Sequence, residues 1–128
     1  IADISQINSH FARWRLGNTV EYINLIPYKK NLKKKYDKIF LITVLEHLPD
    51  PLNVIKELTG SLNKNGLLIF DYILSEGTGL DTIEAVKQRE VVLDYILNNF
   101  IVLKGNINKS KSMGTTVIKL KDTHKAYE

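Results

Sequence analysis

Residues 36–72 read YDKIFLITVLEHLPDPLNVIKELTGSLNKNGLLIFDY, and their order decides the fold. Lys38 to Leu45 is mostly apolar and rich in branched side chains, without strict alternation. A strand buried on both faces, as in a parallel sheet, has this composition. Pro49-Asp50-Pro51 then interrupts it. Asp50 suits a helix N-cap, and Pro51 suits the first helical position, where the missing N–H costs nothing. Leu52, Ile55, Leu58 and Leu62 recur at helical spacing and form one apolar stripe. Asn65-Gly66 supplies a turn, since glycine takes positive φ freely. Leu67 to Phe70 starts a second buried strand. Strand, crossover helix and strand make a βαβ unit with its two strands parallel.

The same string resembles the second half of a class I S-adenosylmethionine-dependent methyltransferase, of the type that methylates small molecules. That family carries an acidic residue just before its fourth strand, then a turn like VLEHLPDP. A helix, a Lys-Pro-Gly-Gly-like turn and the fifth strand follow. Here these are Tyr36-Asp37, then Val44-Leu45-Glu46-His47-Leu48-Pro49-Asp50-Pro51, then Leu62-Asn63-Lys64-Asn65-Gly66. The last departs from the pattern, with Asn at both the usual Pro and the first Gly. The resemblance implies a three-layer α/β/α Rossmann-like fold. Its sheet is mostly parallel, ends in a C-terminal antiparallel hairpin and is truncated at the N-terminal side.

Composition sets the outer bounds. A chain of 128 residues is one domain at most, and its 44% apolar and 25% charged content is ordinary for a globular core. Without cysteine there are no disulfides, thiolate nucleophiles or Cys-based zinc sites, and no metal site is expected. That usage fits a reducing cytosol, so a cytoplasmic location is expected. No apolar run approaches membrane-spanning length, and no signal pattern opens the chain. Much of the net charge of +4 lies in Lys29, Lys30, Lys33, Lys34 and Lys35. A solvated loop accounts for such a run; a contact for an anionic substrate or nucleic acid is the alternative. Only Tyr28 and Tyr36 accompany the lysines, which gives poor support for a platform that stacks single-stranded bases.

In chain order, Ile1 to Ser5 reads as the end of a strand with Ser5 as an N-cap, and Ile7, Phe11 and Trp14 share one helical face. Gly17 is a natural stop. Thr19 to Leu25 reads as a strand, closed by Pro27. On the resemblance, Asp3 at the tip of the family's second strand accepts both ribose hydroxyls of S-adenosylmethionine, and Ile4 lies on the adenine face. Asn24 stands where an Asp often contacts the adenine amino group, beside Leu25. Ile42 and Thr43 match cofactor-touching positions. His47 lies just beyond them, where an imidazole suits a general base or a substrate contact by its own chemistry, against the plainer reading of a turn histidine. Asp71 and Tyr72 end the fifth strand and would face the acceptor.

Ser75 to Gly79 reads as a loop, and Asp81 with Glu84 as a capping box. Ile83, Val86, Leu93, Ile96, Leu97 and Phe100 mark a helix running up to a strand over Phe100 to Leu103. Thr115 to Lys121 is the last strand.

The family's glycine-rich cofactor loop is absent, because Gly77-Thr78-Gly79 follows the wrong strand. Residues 1–128 are therefore expected to be the C-terminal portion of a methyltransferase domain that starts at its second strand. Loss of the first strand should leave two open apolar edges that favour self-association. The implied function is methyl transfer from S-adenosylmethionine to a small molecule, with no membrane contact. A nucleic-acid acceptor is set aside because the Asn-Pro-Pro-Tyr signature of base methylation is missing. The alternative is a degenerate methyltransferase-like module that binds a partner and catalyses nothing.

Overall fold

The computed structural model describes residues 2–3, 6–24, 32–75 and 79–122. Contacts divide the chain into two compact units, Ile1–Lys33 and Lys34–Glu128.

The first unit holds β1 (Ala2–Asp3), α1 (Gln6–Leu16), a 3₁₀ turn (Gly17–Thr19) and β2 (Ile23–Asn24). β1 and β2 pair in parallel, with Ala2 opposite Ile23 and Asp3 opposite Asn24. Gly17 takes φ +61° and ends α1, a conformation that glycine adopts without steric cost. The strand expected over Thr19 to Leu25 shrinks to two residues. Thr19 Oγ1 instead donates to Leu16 O at 2.8 Å and prolongs the helical path, as hydroxyls near helix ends do. The Tyr22 hydroxyl donates to Ala12 O at 3.0 Å, and Arg13 lies 4.9 Å over its ring. Ile7, Phe11 and Trp14 share a face of α1 as expected, and all three are exposed. The Ser5 cap, Pro27, Lys29 and Lys30 lie outside the described residues.

The second unit holds β3 (Tyr36–Leu41), a 3₁₀ turn (Leu45–His47), α2 (Pro51–Gly60), β4 (Leu62–Tyr72), α3 (Ile83–Asn99), β5 (Phe100–Lys104) and β6 (Met113–Leu120). Its sheet runs β3-β4-β6-β5. β3 and β4 are parallel, joined through α2 as the βαβ reading requires, while β6 pairs antiparallel with both β4 and β5. The Rossmann-like parallel pair and the C-terminal antiparallel hairpin are thus both present.

Asp50 caps α2 by accepting from Asn53 N–H at 3.3 Å, with Pro51 in the first turn. Ile55 and Leu58 are buried, and Leu52 is half-buried. Leu62 is buried too, but it belongs to β4, because α2 stops at Gly60. Gly66 is needed for a reason other than the one expected. It adopts no positive φ. A Cβ there would sit 2.9 Å from Tyr36 O and 3.0 Å from Asn63 O. The β3–β4 register shifts at this place, with Tyr36 opposite Leu62 but Lys38 opposite Leu67. The extra residues of β4 are pressed against β3, and only glycine leaves room.

The cap of α3 also differs by one position. Thr82 is the N-cap and accepts from Ala85 N–H at 3.0 Å. Asp81 Oδ2 accepts from Ser75 N–H at 2.9 Å instead. α3 buries Ala85, Arg89, Val92, Leu93 and Ile96 and leaves Ile83, Val86 and Leu97 exposed.

Alternate β4 side chains Leu68, Phe70 and Tyr72 are buried, with Ile118 opposite Leu68. The Tyr72 hydroxyl meets α3 at Ala85 O, at 2.6 Å. The opposite face carries Leu67 and Ile69, both half-buried, and Phe40, which stands opposite Ile69 and is 68% exposed. Among the described residues no helix is long and apolar enough to cross a membrane.

Candidate active site at the carboxyl ends of β3 and β4

Parallel strands bring their carboxyl ends to one edge, which is where open α/β sheets bind ligands. β3 ends at Leu41, and the backbone turns at Thr43 with φ +54°. For a β-branched residue this left-handed geometry costs about 1–2 kcal/mol. A specific contact holds it. Thr43 N–H donates to Asp71 Oδ1 at 2.8 Å, and Asp71 is buried near the end of β4. Asp71 therefore ties the tips of the two strands together.

The Leu45–His47 turn follows. His47 Nδ1 lies 2.9 Å from Leu80 O. A carbonyl only accepts, so Nδ1 carries a proton, and in the neutral ring Nε2 is the nitrogen with the lone pair. Thr82 N–H donates to Glu46 O at 2.9 Å, and Thr82 Oγ1 donates to Leu48 O at 2.7 Å. Leu80 and Thr82 are thereby fastened to the turn.

Glu46 is 3% exposed. Its Oε2 is buried without a partner, and Oε1 lies 3.9 Å from His47 Nε2. Burial pushes the Glu46 carboxyl above the usual range, and the charges of Asp71 and Asp81 add to this. A backbone hydrogen bond and His47 oppose it.

Behind the turn, burial pushes the Tyr72 hydroxyl up to about 12, with the Arg89 charge opposing. Arg89 lies 4.9 Å over the Tyr72 ring. Its guanidinium donates to the carbonyls of Tyr72 (3.2 Å), Asn108 (2.9 Å), Lys109 (3.2 Å) and Lys111 (2.5 Å). Desolvation lowers the Arg89 pKa, and its Nε has no partner.

Of the expected site residues, Ile42, Thr43, His47 and Asp71 stand at or beside this edge. Ile42 is exposed, Thr43 contributes its backbone, and His47 is exposed. Tyr72 was expected to face the acceptor, but its side chain is buried and its hydroxyl is committed to Ala85. The strand's alternation explains this, because Asp71 and Tyr72 point to opposite faces. Asp3 and Asn24 stand opposite each other in the β1–β2 register. Ile4 and Leu25 lie outside the described residues. Lys35 Nζ donates to Gly60 O, which gives that lysine a structural partner.

Three residues escaped the sequence reading. Glu46 sat in the quoted motif beside His47 without a role. Asp81 was taken for a cap. Arg89 carries no local signal, because its partners lie 17 to 22 positions away. Among the described residues, no group of three or more His, Cys, Asp or Glu is placed to hold a metal ion.

The chain is 35% identical over 78 residues to a tRNA U34 carboxymethyltransferase of Nautilia profundicola; the match covers 61% of this chain and 26% of that protein. A tRNA U34 carboxymethyltransferase of Helicobacter hepaticus is 42% identical over 53 residues, covering 41% of this chain and 17% of that protein. The chain thus spans about a quarter or less of the length of these curated relatives. Among solved structures, the N-methyltransferase NodS of Bradyrhizobium japonicum, in complex with S-adenosyl-L-homocysteine, superposes with a TM-score of 0.68. It is 12% identical, over 94% of this chain and 65% of that one. That likeness concerns the fold.

The curated relatives overturn the expectation of a small-molecule acceptor with nucleic acid set aside, because these relatives are named for action on tRNA. The missing Asn-Pro-Pro-Tyr signature therefore does not exclude a nucleic-acid acceptor. The methyltransferase-domain model matches residues 3–101, most of the sequence, and the chain belongs to that family.

Proposed function

We propose that this chain is part of an S-adenosylmethionine-dependent transferase that modifies a base of tRNA, with a uridine as acceptor. The relatives' names motivate the acceptor. The observation that carries the chemistry is His47, held through Nδ1 by Leu80 O at 2.9 Å, with Nε2 left as a lone pair. A base N–H or O–H that receives an alkyl group must lose its proton, and a fixed neutral imidazole at the strand tips can take it.

The acids at this edge fit the cofactor. The charges of Asp71 and Asp81 reach the Glu46 carboxyl, and a sulfonium is a cation. The cofactor supplies an electrophilic methyl carbon; the chain's own residues supply position and proton transfer. On this reading Ile42 and Thr43 contribute to the adenosine contacts. With S-adenosylmethionine as donor the group carried is a methyl, and the expected product is methylated uridine.

The test supplies unmodified tRNA and isotopically labelled S-adenosylmethionine to the full polypeptide, followed by mass spectrometry of the digested RNA. A labelled methyl on uridine is expected. His47→Ala should lower turnover by about 10²–10⁴-fold, the usual contribution of a general base, with cofactor affinity little changed. Label entering no RNA would overturn the acceptor, and full turnover in His47→Ala would overturn the base.

A further inference from the structure

Within the acidic edge, Glu46 is the acid whose burial the fold does not explain. Asp71 Oδ1 holds the Thr43 backbone, and Asp81 Oδ2 holds the Ser75 backbone. A backbone hydrogen bond favours the charged form of the Glu46 carboxyl, but one of its oxygens is left over. Oε2 is buried and unpartnered, and Oε1 lies 3.9 Å from His47 Nε2. A buried carboxyl oxygen without a partner costs free energy that a leucine would not.

We propose that Glu46 is a positioning residue paired with His47: Nε2 takes the acceptor's proton, and the Glu46 carboxylate stabilises the imidazolium that forms. This rests on the reading of His47 as the base. In the step, the acceptor's X–H bond breaks and its proton goes to Nε2. Its electron pair forms the new bond to carbon, and the electrons of the broken carbon–sulfur bond stay on sulfur.

Three features converge on the pair. Leu80 O fixes the ring through Nδ1, so the nitrogen nearest Glu46 is the basic one. The turn itself is fixed, since Glu46 O and Leu48 O both accept from Thr82. The other charged groups around Glu46 are engaged elsewhere. Asp71 and Asp81 hold backbone N–H groups, the Tyr72 hydroxyl is on Ala85 O, and Arg89 gives its two terminal nitrogens to four carbonyls, with Nε left unpartnered. His47 is thus the group placed to answer the charge on Glu46. An opposite charge within about 4–6 Å shifts a titration by roughly 1–3 pH units, and the exposure of His47 points to the lower end.

The first measurement needs no activity. The Glu46 carboxyl carbon is followed by NMR against pH in this chain and in His47→Asn. Loss of the imidazolium should raise the Glu46 titration by about one pH unit; an unmoved titration overturns the pair. The second measurement is the pH profile of kcat in Glu46→Gln. Its acid limb should move to lower pH, with KM for tRNA unchanged, because the imidazole has lost its anionic partner. A kcat lowered equally at every pH, with the limb in place, would mark a structural role and overturn the proposal. If His47→Asn cripples turnover while the Glu46 titration stays put, the pair falls and the base stands. If His47→Asn keeps full turnover, the base falls and the pair with it.

Discussion

Glu46 makes this protein's stability depend on pH in a direction opposite to that of a salt-bridged acid. Its folded-state pKa lies above the ordinary value of 4.5, so the folded chain holds this proton more tightly than the unfolded one does. The resulting stabilisation is fully present below 4.5 and is lost as pH rises through the raised folded value. Glu46→Gln keeps the shape and removes the titration. It should match the parent near pH 4 and exceed it by about 1 kcal/mol near pH 8, read from urea melts at the two pH values. A variant that loses stability equally at both would show that the carboxyl is better satisfied than its geometry indicates. Single residues were also the least legible part of the sequence. Asp71 was correctly placed at a strand end, yet its bond to Thr43 spans 28 positions, and no local pattern encodes such a partner. Tyr72 looked equally polar on paper. Strand alternation sends it the other way, under α3, where the apolar ring is covered and the hydroxyl finds Ala85 O.

At the scale of elements, the sequence is informative wherever the cause is local. The Asp50 cap, Pro51, the apolar period of α2 and the terminal hairpin all depend on neighbours a few positions away, and all are found. Errors enter where two local causes compete. Thr82 and Asp81 are both good caps, and the contest is settled at a distance, because Ser75 N–H takes Asp81. Gly66 was correctly marked as special but for its φ, whereas its need comes from β3 pressing on it. That difference is measurable. Were a left-handed φ the only demand, Gly66→Asn would be tolerated well, since Asn enters that region more readily than most residues. Close approach instead predicts that Ala and Asn are both harmful. Gly66→Ala should cost about 1–3 kcal/mol, the range for forcing atoms into packed space, with the loss seen in thermal melts and the Tyr36–Leu62 pairing weakened. Equal stability of Gly66→Ala and the parent would show that β3 can move aside.

Over the whole molecule, stability is unevenly distributed. Among the described side chains of the first unit, Ser9 is the buried one, while Ile7, Phe11 and Trp14 lie open. The second unit encloses Leu68, Phe70, Val92, Leu93, Ile96 and Ile118 completely. Hydrogen exchange should therefore be slowest in β4, β6 and α3, and faster in α1 by about two orders of magnitude or more. Equal protection in α1 and β4 would mean that the apolar face of α1 is covered in solution. Arg89 adds something that burial alone does not provide. It draws the carbonyls of Asn108, Lys109 and Lys111 onto one cation, and Lys109 is tied back to Asp94. Apolar cohesion weakens on cooling, whereas charge-assisted hydrogen bonds do not share that dependence. The connection between β5 and β6 is consequently secured by the kind of force that survives cold, and near freezing it should be among the last parts of this sheet to loosen.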